Sequence, residues 1–353
     1  MSSSGKANAG DLIAQRRAAT RDRFERLKTL LKSSVSPFET SACVSATGSF
    51  ARLEASPHSD LDLFIVTPIG PANQCPTQPL LNRLDGILLK AELIRATRDQ
   101  GIPDFSNEGE YLEIYSVSDL VNTLGKREDD VRNTLTARLL PLLESKQLVG
   151  QEVYDKVITE VTAACWRSFQ DHESSFVPAF LTNDILRLWR TFCVNYEANT
   201  STDPPLKKAK RKLKNYKLKH SRLLTCYSAL LYLLVVFDQA KTVLESDAPA
   251  MIRLTPTQRL EWLLLQPDIA HAHEKVDQFL NQYEAFLEVA SQDEERLIAD
   301  FQDKDRAERL MQQAYSFGEV IFEVLDLLGK KTGSIGSCWS EHPSLMAKAS
   351  CPH

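Results

Sequence analysis

Two aspartates, Asp60 and Asp62, stand one residue apart where the apolar segment LDLFIVT begins, at 61–67. Residues two apart on a β-strand point to the same face, so the two carboxylates would project side by side. Neighbouring carboxylates repel each other unless a cation lies between them. Mg²⁺ suits such a pair because it takes carboxylate oxygens, keeps several waters and also binds substrate phosphates. The pair therefore predicts a divalent-metal site.

Gly48 and Ser49 follow a second apolar segment, CVSAT at 43–47. A glycine lets the backbone come close to a ligand, and a serine hydroxyl with backbone N–H groups can hold phosphate oxygens. If the two segments are neighbouring strands, Gly-Ser and Asp-x-Asp together predict a site for a metal-bound nucleoside triphosphate. A structural alternative stays open, in which Asp60 caps a strand and Asp62 lies on an exposed edge.

The elements that would position these residues are short strands and amphipathic helices. Apolar periodicity predicts a helix at 11–32, strands at 43–47 and 61–67, a helix at 80–98 and a third strand at 110–117. Beyond Ser118 we expect no strand and a succession of helices. The predicted fold class is therefore α+β, a small α/β domain with a short mixed sheet followed by a larger all-α helical domain.

Pattern changes along the chain divide it into four segments. We expect a mobile N-terminal segment with a helix at 1–33, the α/β domain at 34–122, the all-α domain at 123–330 and a flexible tail at 331–353. A length of 353 residues agrees with about two folded domains.

Composition narrows the class of protein. The chain is 43% hydrophobic and 25% charged, which is ordinary for a folded soluble protein. No apolar run approaches the roughly 18 residues of a membrane span, and the N-terminus lacks the apolar core of a secretory signal. The seven cysteines contain no CxxC pair, which argues against a disulfide framework and a zinc site. We therefore expect a cytoplasmic protein with no membrane partner.

The stretch GSFARLEASPHSDLD, at 48–62, resembles the nucleotidyltransferase superfamily of the polymerase-β type. Within it, the stretch is most similar to bacterial uridylyltransferases and adenylyltransferases that modify signalling proteins. The matching positions are Arg52, Glu54, Pro57, Ser59, Asp60 and Asp62. Ser49 departs from that subgroup, which more often has a second glycine there. The helical stretches TARLLPLLESK, NDILRLWR and KLKNYKLKHSR resemble a group of uncharacterised bacterial nucleotidyltransferases.

The resemblance implies transfer of a nucleoside monophosphate from NTP to an acceptor hydroxyl, with Mg²⁺ or Mn²⁺ as cofactor and pyrophosphate as product. Asp60 and Asp62 would be the metal ligands, and two metal ions would activate the nucleophile and stabilise the leaving pyrophosphate. Gly48 and Ser49 would hold the triphosphate. Arg52 and Ser59 are further candidates for nucleotide binding, although Arg52 could instead pair with Glu54 across the loop.

Superfamily members usually supply a third carboxylate from a later strand. Glu113, in the segment YLEIY, is the first candidate for this catalytic and metal-binding role. Glu110 and Glu108 are the alternatives. No aspartate lies in this predicted strand, so a relative that binds nucleotide without catalysis is a second possibility.

A basic segment at 206–222 contains nine Lys or Arg residues and no acidic residue. On an α-helix Lys217 and Ser221 share one face, and the resemblance implies that they meet the triphosphate. Arg187 and Arg190 are expected to join them as nucleotide-binding residues. A solvated basic surface and a nucleic-acid contact are the alternatives, and His220 is expected on the helix surface.

The function expected from the sequence is thus a metal-dependent nucleotidyltransferase of the EC 2.7.7 type. A protein acceptor is favoured, with RNA or a small molecule as alternatives. The competing hypothesis is a catalytically degenerate nucleotide-binding module that regulates a partner protein. The sequence leaves open which NTP is used, the identity of the acceptor and the oligomeric state.

Overall fold

A four-stranded mixed sheet and a majority of helices make up the computed structural model, which describes residues 11–70, 78–105, 109, 112–197 and 204–331. The α+β class is therefore confirmed. The described residues form two units. The sheet unit comprises Arg17–Ile185 and Thr242–Thr255, and the helical unit is drawn from Met1–Arg16, Leu186–Lys241 and Pro256–His353.

The sheet consists of β1 (Cys43–Thr47), β2 (Asp62–Thr67), β3 (Ile114–Ser116) and β4 (Lys146–Val149), in the order β3-β2-β1-β4. β1 is antiparallel to both β2 and β4, and β2 is parallel to β3. The strands predicted at 43–47 and 61–67 are confirmed. The third predicted strand is shorter than expected, and its first residues, Glu110 and Tyr111, lie outside the described residues.

β4 makes the expectation of no strand beyond Ser118 wrong. Its sequence, KQLV, has two polar residues followed by two apolar residues without alternation, so it carries a weak local strand signal. It becomes a strand by pairing with β1, with Ala46 opposite Lys146 and Val44 opposite Val149. Gly150 ends it with a positive φ of 68°, and a Cβ there would meet the Ala42 carbonyl oxygen.

The sheet unit contains most of the shorter helices. Their bounds are α1 (Asp11–Val35), α2 (Gly48–Ala51), α3 (Arg83–Asp99), α4 (Val117–Asn122), α5 (Glu128–Val131), α6 (Thr134–Leu143), α7 (Gln151–Cys165), α8 (Ala179–Glu197) and α11 (Asp247–Arg253), of which α1 and α8 extend past the unit's bounds. The apolar stripe predicted on α1 is buried with the strands, through Phe24, Leu27 and Leu31. α3 begins three residues later than predicted because the Asn82 side chain caps it, accepting the Asp85 N–H at 2.9 Å.

A buried ion network joins α5, α6 and α8 within the sheet unit. Arg138 is fully buried and donates to both carboxylate oxygens of Asp129, at 2.9 and 2.8 Å, and to Asp184 at 2.6 Å. Arg138 and Asp184 belong to two of the helical stretches singled out in the sequence, TARLLPLLESK and NDILRLWR. The ion pair between Arg138 and Asp184 therefore links these two stretches.

The helical unit contains helices of nine to 28 residues. Their bounds are α9 (Pro205–Lys217), α10 (Leu223–Ala240), α12 (Pro256–Leu264), α13 (His273–Ala290), α14 (Glu294–Gln302) and α15 (Lys304–Lys331). A π-helical turn at Leu218–Arg222 joins α9 to α10.

His220 lies on this π-turn and is buried, so its expected surface position is wrong. Its ring stacks on Phe286 at a centroid distance of 4.4 Å and also contacts Tyr216 and Phe317. Burial, the largest cause, lowers the pKa of His220 to about 4. The imidazole is therefore neutral at pH 7 and belongs to the aromatic core.

Among the described residues, one helix is long and apolar enough to span a membrane by length and composition, the continuous Pro205–Ala240 segment. Within the protein 72% of its most apolar window is buried. A core helix of a soluble protein passes the same test, so the finding is weak evidence for a membrane span. The expectation of no membrane partner stays a prediction.

Candidate functional site

The Gly48–Ser49 turn lies directly against Asp62. β1 and β2 pair so that Thr47 stands opposite Asp62, and α2 begins at the next residue, Gly48. Gly48 has a φ of +66°, and a Cβ there would lie 2.5 Å from Asp62 Oδ2. Glycine is therefore required twice, for the left-handed backbone and for the space beside the carboxylate. The predicted adjacency of the two motif halves is confirmed.

Two further properties of the corner formed by Thr47, Gly48, Ser49 and Asp62 are suited to ligand binding. The Thr47 hydroxyl is buried and makes no hydrogen bond in the part of the chain that the structure describes. Ser49 is half-buried and Asp62 is exposed, so both are within reach of solvent. The corner thus combines a carboxylate, two hydroxyls and a backbone without a side chain at Gly48.

Arg52 lies in a buried ion network. Its guanidinium donates through Nε to Glu54 and through Nη1 to Glu144 Oε2 at 2.8 Å. The pairing of Arg52 with Glu54, one of the two alternatives from the sequence, therefore forms. Contact of Arg52 with a phosphate stays a prediction.

Glu144 belongs to the same network and was not singled out in the sequence. Its other carboxylate oxygen accepts the Gly48 N–H at 3.1 Å. The only sequence signal is an acidic residue between two apolar runs, LLPLL and LVG. Burying a carboxylate without partners costs free energy, so this position indicates that hydrogen-bond partners exist. It does not identify them.

Two hydrogen bonds to the backbone of Ser56 fix the loop between Glu54 and Asp60. Ser59 accepts the Ser56 N–H at 2.9 Å through its hydroxyl. From α1, Arg23 donates to the Ser56 carbonyl at 2.7 Å, and its guanidinium lies 4.7 Å from the Phe50 ring centroid. Burial, and after it Arg26, lowers the pKa of Arg23. Ser59 therefore has a structural partner, and its role in nucleotide binding stays a prediction.

The three proposed metal ligands differ in exposure. Asp60 is half-buried, and Asp62 and Glu113 are exposed. Ile65 stands opposite Ile114, so extending this parallel register by one residue places Glu113 beside Phe64. Phe64 and Asp62 are two apart on β2, and Glu113 is therefore expected on the same sheet face as Asp62.

Glu113 also has a partner of its own. Burial first, and then the Glu113 carboxylate, raises the pKa of Tyr115 to about 12. Among the residues that the structure describes, no group of three or more His, Cys, Asp or Glu side chains is placed to hold a metal ion. The alternatives Glu108 and Glu110 lie outside the described residues. The fit to a metal therefore rests on Asp60 and Asp62.

The remaining predicted residues lie in the helical unit. Lys217 is exposed at the end of α9, Ser221 is half-buried, Arg187 is half-buried and Arg190 is exposed. The π-turn begins directly after Lys217 and contains Ser221. Its longer hydrogen-bond spacing does not keep the α-helical alignment on which their shared face was predicted. Their contact with phosphate stays a prediction.

No protein-family model and no curated protein matches this chain.

Proposed function

We propose that the chain is a metal-dependent nucleotidyltransferase that moves a nucleoside monophosphate from NTP to an acceptor hydroxyl and releases pyrophosphate. One observation carries the proposal: the Gly48–Ser49 turn packs against Asp62 with no side chain between them. This juxtaposition brings phosphate-binding groups to a carboxylate that can bind a divalent cation.

In this proposal each residue of the corner has a separate task. Asp60 and Asp62 would hold Mg²⁺ or Mn²⁺, which supplies charge neutralisation at the triphosphate and activates the acceptor hydroxyl when bound. Ser49 would donate its hydroxyl and N–H to phosphate oxygens, and Gly48 keeps the space that lets them approach. The chain's contribution is positioning and electrostatic stabilisation, which dominate phosphoryl-transfer catalysis.

We assign the reaction to the sheet unit, where the segment 34–122 carries the nucleotidyltransferase motif. The helical unit is assigned the choice of acceptor. A protein acceptor is favoured because the motif most resembles protein-modifying enzymes, and this is an argument from resemblance alone. RNA and small molecules are the alternatives to be tested.

A second candidate is a nucleotide-binding regulatory module without turnover. It is favoured by one observation, that Glu113 contacts Tyr115 and no three-carboxylate group is assembled in the described part of the chain. Such a module would bind the metal-nucleotide at the same corner and act on a partner protein.

A transfer assay separates the two candidates. The protein is incubated with each α-labelled NTP and Mg²⁺ or Mn²⁺, with and without a cell lysate. Asp60→Ala/Asp62→Ala is compared with Glu152→Ala/Asp155→Ala, which removes the same formal charge from exposed positions on α7. Nucleotide binding is measured in parallel by calorimetry with Mg²⁺ present.

Label that appears with the wild type and the α7 variant, and is lost in Asp60→Ala/Asp62→Ala, supports the enzyme and identifies the class of acceptor. Saturable nucleotide binding without transfer supports the regulatory module. If the wild type neither transfers nor binds any NTP, both candidates are refuted. Glu113→Gln then tests the third carboxylate, since it should abolish transfer and leave binding largely intact.

A further inference from the structure

Glu144 contacts both ends of the shortest helix at the candidate site. Helix α2 has only four residues, Gly48–Ala51, and Arg52 follows its last residue. One carboxylate oxygen of Glu144 accepts the N–H of Gly48 at 3.1 Å, and the other accepts Arg52 Nη1 at 2.8 Å. A single side chain therefore bonds to the residue that begins α2 and to the residue that follows it.

A helix of one turn does not hold its own shape. Isolated helices shorter than about 12 residues are marginal in water because nucleation is unfavourable. The conformation of α2 must therefore come from bonds to other parts of the fold. Glu144, which is buried, supplies two of these bonds.

The sheet explains why Glu144 reaches this place. Ala46 pairs with Lys146 in the antiparallel β1–β4 ladder. Because the strands are antiparallel, the same register places Gly48, two residues after Ala46, opposite Glu144, two residues before Lys146. The Glu144 side chain thus accepts the N–H at the point where the backbone ladder ends and the chain turns into α2.

The bond to Gly48 fixes the peptide plane between Thr47 and Gly48. Ser49 follows immediately, so the direction of its hydroxyl and N–H depends on that plane. The same plane sets the clearance between Gly48 and Asp62 Oδ2. Rotation of the turn would therefore alter the spacing between the phosphate-binding groups and the metal-binding carboxylate.

We propose that Glu144 is a positioning residue, which bonds both ends of α2 so that Ser49 and Asp62 keep the spacing that a metal-bound triphosphate requires. This inference rests on the proposed function. Glu144 itself touches neither the triphosphate nor the metal in this proposal. Removing the Glu144 side chain is therefore expected to raise the KM for NTP and to leave the KM for the acceptor unchanged.

Three variants test the proposal. Glu144→Ala removes both bonds, and Glu144→Gln keeps the size and one acceptor oxygen but places an amide NH₂ near Arg52. Ser145→Ala is the matched control, because it is the neighbouring buried residue and loses hydrogen bonds to Pro141 and Tyr154 at 2.6 Å each. Circular dichroism gives the folded fraction, to which all rates are normalised.

We expect kcat/KM to fall about 100-fold in Glu144→Ala, the effect of misplacing a reacting group by about 1 Å. A smaller loss is expected in Glu144→Gln, whose remaining oxygen can still accept the Gly48 N–H. In both variants the KM for NTP should rise. Ser145→Ala should match the wild type per folded molecule.

A second measurement does not need activity. Glycine-selective ¹⁵N labelling gives at most 13 backbone signals, and the Gly48 signal is assigned by its loss in Gly48→Ala. An N–H bonded to a carboxylate has a downfield proton shift, so Glu144→Gln and Glu144→Ala should move this signal upfield while Ser145→Ala leaves it in place.

The outcomes are distinct. An active wild type with Glu144 variants that equal Ser145→Ala overturns the positioning role alone. An unmoved Gly48 signal overturns it as well, because the bond on which it depends is then absent. A wild type that neither transfers nor binds NTP refutes the proposed function, and this inference with it.

Discussion

Replacing Gly48 by alanine tests the corner with a single methyl group. Gly48 has a φ of +66°, and the added Cβ would lie 2.5 Å from Asp62 Oδ2, where ordinary contact begins at 3.4 Å. The Asp62 carboxylate must therefore move by about 0.9 Å, the difference between these two distances. Because Asp62 is exposed and the clashing atom ends its side chain, the carboxylate can rotate away without unfolding the sheet.

The two effects of the methyl group have different magnitudes. An L-residue in the left-handed region costs about 1–2 kcal/mol. Forcing Asp62 off its preferred rotamer adds about 0.5–1.5 kcal/mol, so the free energy of unfolding should fall by about 1.5–3.5 kcal/mol in total. Displacing a metal-binding carboxylate by nearly 1 Å should lower kcat/KM about 100-fold. A 100-fold loss corresponds to about 2.7 kcal/mol of activation free energy, so catalysis and folding stability are expected to lose similar amounts of free energy.

Gly101→Ala is the matched control, because Gly101 has a φ of +64° and its added Cβ would meet nothing within 4 Å. It should show the backbone cost alone, about 1–2 kcal/mol, with normal transfer and nucleotide binding. Urea unfolding gives both stabilities, and calorimetry gives the Mg²⁺–NTP affinity. Equal stability and equal affinity in the two variants would refute the contact between Gly48 and Asp62.

Two further predictions concern buried charge. Arg138→Met should lower the free energy of unfolding by about 3–5 kcal/mol, because Asp129 and Asp184 would be left buried without their cation. Arg132→Met removes an exposed ion pair and should lower it by under about 1 kcal/mol in the same urea titration. His220 has a folded-state pKa of about 4 against 6.5 for the ordinary group, so the unfolded chain binds its proton first and stability should fall as pH drops from 6.5 towards 4, by up to about 3 kcal/mol. His220→Phe should flatten that pH window, and a variant with the wild-type slope would contradict the burial of the imidazole.

The sequence predicted those elements that have a strong local pattern. β1 and β2 are apolar runs bounded by turn residues, and α1 has a clear amphipathic stripe. β4 depends on pairing with a strand about 100 residues earlier, and its four residues carry little strand signal of their own. His220 was misplaced for a similar reason, since its neighbours in sequence are basic while Phe286 and Phe317, which bury it, come from distant helices.

The candidate site divides in the same way. β1 and β2 are joined by a short loop, so their pairing brings Gly48 and Asp62 close together. The spacing in the sequence was therefore enough to predict that these two residues are neighbours. Glu144 lies 92 residues from Arg52 and 96 from Gly48 along the chain, and no periodicity relates them. The third carboxylate could not be identified from residue type, because Glu108, Glu110 and Glu113 are the same residue type and all precede β3, which begins at Ile114.

The position of β4 at the outer side of the sheet has a consequence for fragments of this protein. β4 is an edge strand, short and bearing Lys146 and Gln147, features that discourage pairing with other chains. A chain that stopped at residue 122 would keep the whole Gly-Ser and Asp-x-Asp motif but would expose β1, whose five residues are all buried, as the new edge. Its unpaired N–H and C=O groups would then be a template for self-association. The motif and the protection against aggregation are thus encoded in different parts of the sequence.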